Sequence, residues 1–115
     1  MPNLASRSRG RWGEARAAAH FRSLGFEVVD RNWRSSTGEI DLVVRRTGLY
    51  VFSEVKTRRT DHFGAAALAV GGAKQKRIRR LALEWLRAND LHAAEIRFDV
   101  VAITGVRVDV IEAAF

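Results

Sequence analysis

The sequence contains no cysteine, a single proline and only three histidines in 115 residues. The lack of cysteine excludes disulfides and thiolate zinc sites, and His20, His62 and His92 are too few and too scattered for an imidazole cluster. No apolar run approaches the roughly 18 residues that a membrane-spanning helix requires. The early arginines are not followed by the apolar core of an export signal. The sequence therefore favours neither a membrane nor a small-molecule cofactor as partner, and it is compatible with a reducing cytoplasm.

Basic residues dominate what remains. Twenty Lys and Arg against thirteen Asp and Glu give a net charge of +7. Such a charge favours a polyanionic partner, nucleic acid before membrane, although a basic protein without such a partner is the alternative. The length suits one domain. We assign residues 1–8 to a flexible N-terminus and residues 9–115 to the folded domain.

Apolar periodicity and turn residues predict the element order α-β-β-β-α-β-β. The predicted elements are a helix over Arg9–Leu24, a strand over Phe26–Arg31, a hairpin over Gly38–Arg58, a helix over Ala73–Ala88, and a second hairpin over Glu95–Ile103 and Val106–Ile111. This order implies a single α/β domain with a central mixed β-sheet flanked by helices.

The central hairpin carries an unusual set of charges. A turn at Thr47-Gly48 pairs Val43 with Phe52, and counting on from there sets Asp41 opposite Glu54 and Glu39 opposite Lys56, all on one face. Directly opposed like charges are destabilising, and acids on a buried strand are costly unless they are paired or bind a cation. One explanation is an ion-pair network with the lysine. We favour the other, a Mg²⁺ or Mn²⁺ site for phosphodiester chemistry, in which the lysine orients a water or neutralises charge on a phosphate.

Glu14 is a third candidate acid. It lies on the apolar side of the first predicted helix, seven residues before Phe21. A role with the helix dipole explains a glutamate in the first turn equally well on spacing alone, but an acid within a buried stripe favours function. If this helix packs beside the hairpin, Glu14 approaches Asp41 and Glu54. Asp99, inside a core strand, is interpreted as structural.

A basic segment follows the hairpin. From Lys56 to Arg80 there are eight basic residues and one acid, Asp61. Cations in the first half of a helix oppose its dipole, so phosphate contact explains them better than a merely solvated face. The predicted nucleic-acid-binding residues are Arg58, Arg59, Lys74, Lys76, Arg77 and Arg80. The stretch from Thr57 to Gly72, rich in small residues, is predicted to be a mobile loop.

Asp41 followed by Glu54-Val55-Lys56 resembles the PD-(D/E)xK nuclease signature. The wider string is similar to the YraN family of bacterial predicted endonucleases, which are related to archaeal Holliday-junction resolvases. The segments that carry this resemblance are RWGEARAAAHFRSLGF, GEID, RFDVVAI and the final AAF. Ile40 stands where the superfamily signature has proline, a residue without a chemical role.

This resemblance implies a restriction-endonuclease-like fold, a nuclease-like domain over residues 9–115 and a bacterial cytoplasmic location. It implies Asp41 and Glu54 as ligands of Mg²⁺ or Mn²⁺, Lys56 as the catalytic lysine and Glu14 as an accessory acid, and we add Glu39 as a further accessory. The expected function is hydrolysis of DNA, with branched DNA as the leading substrate and a homodimer as the expected assembly. Two alternatives remain, a non-catalytic nucleic-acid-binding protein on this scaffold and an adaptor whose hairpin acids form only structural ion pairs.

Overall fold

A computed structural model describes residues 4–58, 70–92 and 95–115, and it has the predicted α/β fold class. The elements are α1 (Leu4–Ser23), β1 (Glu27–Ser35), β2 (Gly38–Arg46), β3 (Leu49–Arg58), α2 (Gly72–Ala88), β4 (Glu95–Thr104) and β5 (Arg107–Ile111). The five strands form one sheet in the order β1-β2-β3-β4-β5. β3 and β4 are parallel and the other neighbours are antiparallel, which confirms the predicted mixed sheet and element order.

The helices cover opposite faces of the sheet. α1 contributes Ala17, Ala18 and Phe21 to a buried cluster with β2, β3 and β4. α2 presents Ile78, Leu81, Ala82 and Trp85, at the spacing of one helical face, to a second cluster on the other side. The central strands are thus buried on both faces, as their apolar composition predicted. Neither helix has the length and apolar character needed to span a membrane, within the residues that the structure describes.

The hairpin between β2 and β3 turns where predicted. Arg46 pairs with Leu49 and Val43 with Phe52. Thr47 and Gly48 both have positive φ, 45° and 78°. Two positive φ values are typical of a type I′ turn, whose twist matches that of the strands it joins.

Two predicted boundaries were wrong. α1 begins at Leu4 and not at Arg9, since nothing between these residues interrupts a helix. β1 continues past Arg31 to Ser35 because β2 pairs with it as far as Ser35 and Gly38. Mobility of residues 1–8 stays a prediction, and most of the predicted loop over Thr57–Gly72 lies outside the described residues.

Candidate metal centre and the adjoining basic surface

The sheet opens into a fork at the start of β2 and the end of β3. The ladder between these strands runs only from Arg46 and Leu49 to Leu42 and Ser53. Beyond it β2 pairs with β1 alone and β3 with β4 alone. The predicted ladder pairs of Asp41 with Glu54 and of Glu39 with Lys56 are therefore not formed.

Asp41 sits at the apex of this fork. The backbone N–H of Val55 donates to its Oδ2 at 2.9 Å, so a side-chain carboxylate replaces the backbone acceptor that a continued ladder would supply. The strands separate from this point, and the space between them is open to side chains from both helices.

β2 also changes face at Asp41. Leu42 belongs to the cluster under α1, whereas Ile40, two residues away, belongs to the cluster under α2. Regular alternation, which we used to predict that Glu39 and Asp41 share a face, would place Ile40 and Leu42 together on the other face, and it fails here. The irregularity faces Asn32 of β1, which has a φ of 51° in the left-handed region that asparagine tolerates better than most residues. With Ile40 turned toward α2, Glu39 faces α1.

Three carboxylates meet as a result. Oxygens of Glu14 from α1 and of Glu39 and Asp41 from β2 all lie within 4.8 Å of one another, and the three residues are half-buried. We call these three residues the carboxylate cluster. Glu14 and Asp41 were predicted to approach each other, while Glu39 was expected only as an accessory. The face change at Asp41 explains why regular strand geometry did not place Glu39 here.

Each member of the cluster is oriented by one donor. The Asn32 amide donates to Glu14 Oε2 at 2.9 Å, and Arg34 Nε donates to Glu39 Oε2 at 2.6 Å. Val55 N–H holds Asp41, as described above. Asn32, Arg34 and Val55 thus each hold one carboxylate by one of its two oxygens.

The donor set fits a divalent cation of the Mg²⁺ type. Mg²⁺ prefers oxygen ligands at about 2.0 to 2.1 Å, so two ligands on opposite sides of the ion are about 4.2 Å apart. Adjacent ligands are about 3 Å apart, so oxygens that already lie within 4.8 Å of one another would have to move closer together to share one ion. Three carboxylates leave the remaining positions of an octahedron for water or a phosphate oxygen.

The electrostatics of Asp41 show what this arrangement costs without a cation. The pKa of Asp41 is raised from 3.8 to about 7, chiefly by burial, which the Val55 N–H partly opposes, and to a lesser extent by the negative charges of Glu54, Glu14 and Glu39. Near neutral pH this carboxyl group is therefore close to half protonated. A bound cation would favour its ionised form.

Glu54, predicted as a metal ligand, does not join the cluster. Its Oε1 accepts a hydrogen bond from Lys74 Nζ in α2, in a part-buried ion pair. It still lies close enough to raise the pKa of Asp41. Lys56 is half-buried two residues further along β3, so by strand alternation it shares the face of Glu54. Sequence periodicity could not reveal the contact of Lys74, which had been assigned to nucleic-acid binding.

Close packing at Gly13 brings α1 to the cluster. A Cβ at this position would overlap the side-chain oxygen of Thr57 in β3 and would lie 3.4 Å from its Cβ. Only glycine lets the helix approach β3 so closely, and the next residue is Glu14. Gly13 was not singled out in the sequence, since a lone glycine in a helical pattern carries little signal.

The predicted nucleic-acid-binding residues divide into three groups. Lys76, Arg77 and Arg80 of α2 line one open cavity of about 420 Å³, together with Ser36 and Thr37 of the turn between β1 and β2. Lys74 is engaged with Glu54. Arg58 ends β3 with a side chain outside the described part of the structure, and Arg59 lies entirely outside it.

Asp99 lies apart from the site, as predicted. It is 1% exposed and accepts hydrogen bonds from Arg97 Nε and Nη2, both at 2.9 Å, and from the Ala113 N–H at 3.0 Å. These donors join the end of the sequence to β4, in keeping with a structural role.

The fold and site define a class of protein: a single α/β domain whose mixed sheet opens at a cluster of carboxylates beside a basic helix. Residues 13–103 match UPF0102, described as an uncharacterised protein family, and the chain belongs to this family. A UPF0102 protein of Rhodococcus jostii is 52% identical over 94 residues, which cover 82% of this chain and 80% of the relative. One from Frankia casuarinae is 49% identical over 111 residues, covering 92% and 94%. One from Syntrophus aciditrophicus is 41% identical over 110 residues, covering 92% and 87%.

Proposed function

We propose that this protein is a metal-dependent endonuclease that hydrolyses phosphodiester bonds of DNA, in the manner implied by its resemblance to PD-(D/E)xK nucleases. The observation that carries the proposal is the convergence of Glu14, Glu39 and Asp41 at the fork of the sheet, within 4.8 Å of one another. Structural acids are ordinarily paired with cations. Here Arg34 pairs with Glu39, whereas Glu14 accepts from an amide and Asp41 from a backbone N–H, and the three acids converge next to the strand that bears Glu54 and Lys56.

The roles follow from position. Glu14, Glu39 and Asp41 would hold Mg²⁺ or Mn²⁺, and Val55 N–H and Asn32 would keep two of these carboxylates aimed at it. The ion would lower the pKa of a bound water and offset charge on the phosphate. Lys56 would lie beside the reacting phosphate, where an ammonium group stabilises developing negative charge.

Glu54 has a conditional role in this proposal. While it accepts from Lys74 it is neutralised, and it can turn to the cation only if that ion pair opens. Lys74 would then be released beside a phosphate-rich substrate. We therefore assign Glu54 as a ligand that would join only when a metal ion is bound, whereas in the metal-free protein it is the partner of Lys74.

Branched DNA is the proposed substrate and a homodimer the proposed assembly. The basic residues of α2 that line the open cavity can contact phosphates but carry no base information, so recognition through them would rest on backbone contacts and DNA shape. Cutting two strands with one site per chain requires two copies. Both points rest on the proposed activity.

The decisive experiment is a cleavage panel of duplex, single-stranded, flap and four-way-junction DNA with Mg²⁺ and with Mn²⁺. We expect cleavage by the wild type, its loss in Asp41→Asn and Lys56→Ala, and little effect of Arg22→Ala, which removes an exposed charge from α1. DNA affinity of Lys56→Ala should stay near that of the wild type, because many other cations share the binding. Full activity of Lys56→Ala and Asp41→Asn would overturn the proposal.

One observation favours a second candidate, a non-catalytic nucleic-acid-binding protein. The ion pair of Glu54 with Lys74 occupies an acid that the nuclease signature assigns to metal. This candidate predicts salt-sensitive DNA binding and no cleavage of any substrate. It also predicts that Mg²⁺ does not raise the melting temperature of the wild type, whereas a bound native-state ligand must raise it.

A further inference from the structure

The cavity between α2 and the turn joining β1 to β2 combines three cations with two hydroxyl residues. Lys76, Arg77, Arg80, Ser36 and Thr37 line it, and no carboxylate does among the residues that the structure describes. Its volume, about 420 Å³, exceeds what side-chain packing defects leave and is in the range of small ligand sites. Its chemistry, guanidinium and ammonium donors beside hydroxyl groups, suits a phosphate group.

The cations of this cavity have not been neutralised by the acid nearest to them. Glu84 is the sole acid of α2 and follows Arg80 by four residues, the spacing of a helical ion pair. Both of its oxygens are instead engaged by the turn: Thr37 Oγ1 donates at 2.9 Å and Ser35 Oγ at 3.2 Å. Across the described ranges, no acid forms an ion pair with Lys76, Arg77 or Arg80. Glu84 thus fixes the turn while the positive charge stays available.

The turn is also fitted closely to the helix. Gly38 has a φ of +153°, which favours glycine, and a Cβ there would lie 3.5 Å from both Arg77 Cδ and Leu81 Cδ1. The aliphatic stem of Arg77 therefore runs along the turn, which directs its guanidinium group to the cavity wall. The Thr37 N–H is held by Ser35 Oγ at 3.0 Å, so the hydroxyl-bearing wall is ordered as well.

The cavity adjoins the carboxylate cluster through β2. Thr37 lines the cavity and Glu39 belongs to the cluster, two residues further along the chain. At about 3.3 Å per residue of extended chain, the two positions are roughly 7 Å apart along the backbone. The cavity, lined by α2, and the cluster, which includes Glu14 of α1, thus lie on the two sides of the start of β2.

We propose that this cavity is a phosphate subsite that holds a backbone phosphodiester of the DNA strand that reaches the carboxylate cluster around the start of β2. The identity of the ligand as a DNA strand rests on the proposed function. The subsite anchors the strand through Arg77 and Arg80, with Lys76 and the Ser36 hydroxyl group completing it, while the Thr37 hydroxyl group donates to Glu84 and only lines the wall. Such contacts carry no base information and set the position of the strand over the cluster.

The test measures binding in EDTA, so that it does not depend on cleavage. Affinity for a short DNA duplex is measured by fluorescence anisotropy against salt for the wild type, Arg77→Ala, Arg80→Ala and the control Arg22→Ala. Each phosphate contact contributes roughly 0.9 to the slope of log affinity against log salt. We expect Arg77→Ala and Arg80→Ala each to lower the slope by about that amount and to weaken binding several-fold. Arg22→Ala, with the same loss of charge, should leave the slope unchanged.

A second measurement locates the contact. The backbone amide signals of Ser36 and Thr37 are followed by NMR during titration with a short thymidine oligonucleotide and with its neutral methylphosphonate counterpart. We expect shifts only with the charged oligonucleotide and their loss in Arg77→Ala. If Arg77→Ala proves poorly folded, Arg77→Gln, which keeps most of the stem, is used in both measurements.

Equal salt slopes for Arg77→Ala and Arg22→Ala would overturn the subsite, as would equal shifts with the neutral oligonucleotide. Either result would leave the endonuclease proposal standing, because that proposal depends on metal and on Lys56→Ala. Conversely, if the protein cleaves no DNA but shows the expected slopes and shifts, the subsite proposal stands and the endonuclease proposal is overturned.

Discussion

At the scale of single residues, the charge state of Asp41 couples stability to pH. Its pKa is about 7 in the folded protein against 3.8 ordinarily, chiefly because it is buried. Between these values the folded state binds the proton more tightly than the unfolded state does. The free energy of unfolding of the metal-free protein should therefore fall as pH rises from about 4 to about 7 and then become constant. The slope of this fall is at most about 1.4 kcal/mol per pH unit.

Urea unfolding in EDTA at pH steps between about 4 and 8 measures this effect. Asp41→Asn keeps an acceptor for Val55 N–H but cannot ionise. Its stability should therefore not fall with Asp41 ionisation, and the variant should gain stability relative to the wild type as pH rises toward neutral. Asp109→Asn, in the hairpin of β4 and β5, is the matched control. Parallel pH profiles for Asp41→Asn and the wild type would contradict the assigned cause.

Lys74 is predicted to compete with the metal for Glu54. Lys74→Gln leaves a part-buried carboxylate unpaired and should lower the stability of the metal-free protein by about 1 to 3 kcal/mol. Mg²⁺ should then restore more stability than it gives the wild type, because Glu54 no longer has to exchange a partner. The control is Lys76→Gln, two residues along the same helix and exposed.

Thermal melts of the three proteins with EDTA and with millimolar Mg²⁺ provide the measurement. A Lys74→Gln protein that gains no more from Mg²⁺ than Lys76→Gln does would show that Glu54 is not recruited by the metal. Loss of stability common to both variants would indicate a general effect of charge on α2.

The candidate site was only partly predictable at this scale. Residue type and spacing singled out Asp41, and an acid within an apolar stripe singled out Glu14, and both lie in the cluster. Glu54 and Lys56 were singled out in the same way, but Glu54 lies outside the cluster and the role of Lys56 stays a prediction. The place of Glu39 depends on the face change beside Asn32, which regular alternation cannot anticipate. The partner of Glu54 depends on how α2 packs, and a sequence with several lysines and arginines on that helix does not say which one reaches it.

At the scale of elements, the close approach of α1 to β3 is a specific requirement. Gly13→Ala would place a Cβ against Thr57, and overpacking of this kind costs about 1 to 3 kcal/mol or displaces the helix that bears Glu14. We expect lower stability and weaker Mg²⁺ binding in this variant. Thr57→Ala in the same chain removes the overlapping oxygen and should restore both.

Gly10→Ala provides the matched control. Gly10 lies in the same helix and nothing lies within 4 Å of a Cβ built there. Alanine should stabilise by about 0.5 to 1 kcal/mol at that position, through helix propensity alone. Chemical unfolding and calorimetric Mg²⁺ titration of the two variants distinguish the cases. A Gly13→Ala protein that behaves like Gly10→Ala would show that α1 can shift without consequence.

Most of the fold follows from local patterns. The turn at Thr47-Gly48, the period of α2 and the alternation in β4 each predict an element, and together they predict the order. The residues at which elements begin and end are harder to predict from the sequence. β1 is lengthened by pairing with β2, a tertiary effect, and the ladder of the central hairpin stops early because the Asp41 side chain takes the N–H of Val55.

At the scale of the whole molecule, a net charge of +7 coexists with a cluster of three acids beside the basic cavity. On the proposed function, we expect a DNA strand that is drawn to the cavity to continue past the start of β2 to the cluster. Without a cation that juxtaposition is repulsive. Metal and DNA should therefore assist each other's binding, by an equal factor in each direction.

The prediction is tested in a Lys56→Ala background, so that cleavage does not obscure binding. At constant ionic strength, replacing EDTA and monovalent salt by millimolar Mg²⁺ should raise DNA affinity several-fold. Adding Glu39→Gln and Asp41→Asn removes two charges and the capacity to hold the ion. That protein should bind DNA more tightly than its parent in EDTA and should not respond to Mg²⁺. Equal affinities of the two proteins in EDTA, with equal responses to Mg²⁺, would mean that the strand bound at the basic cavity does not pass over the carboxylate cluster.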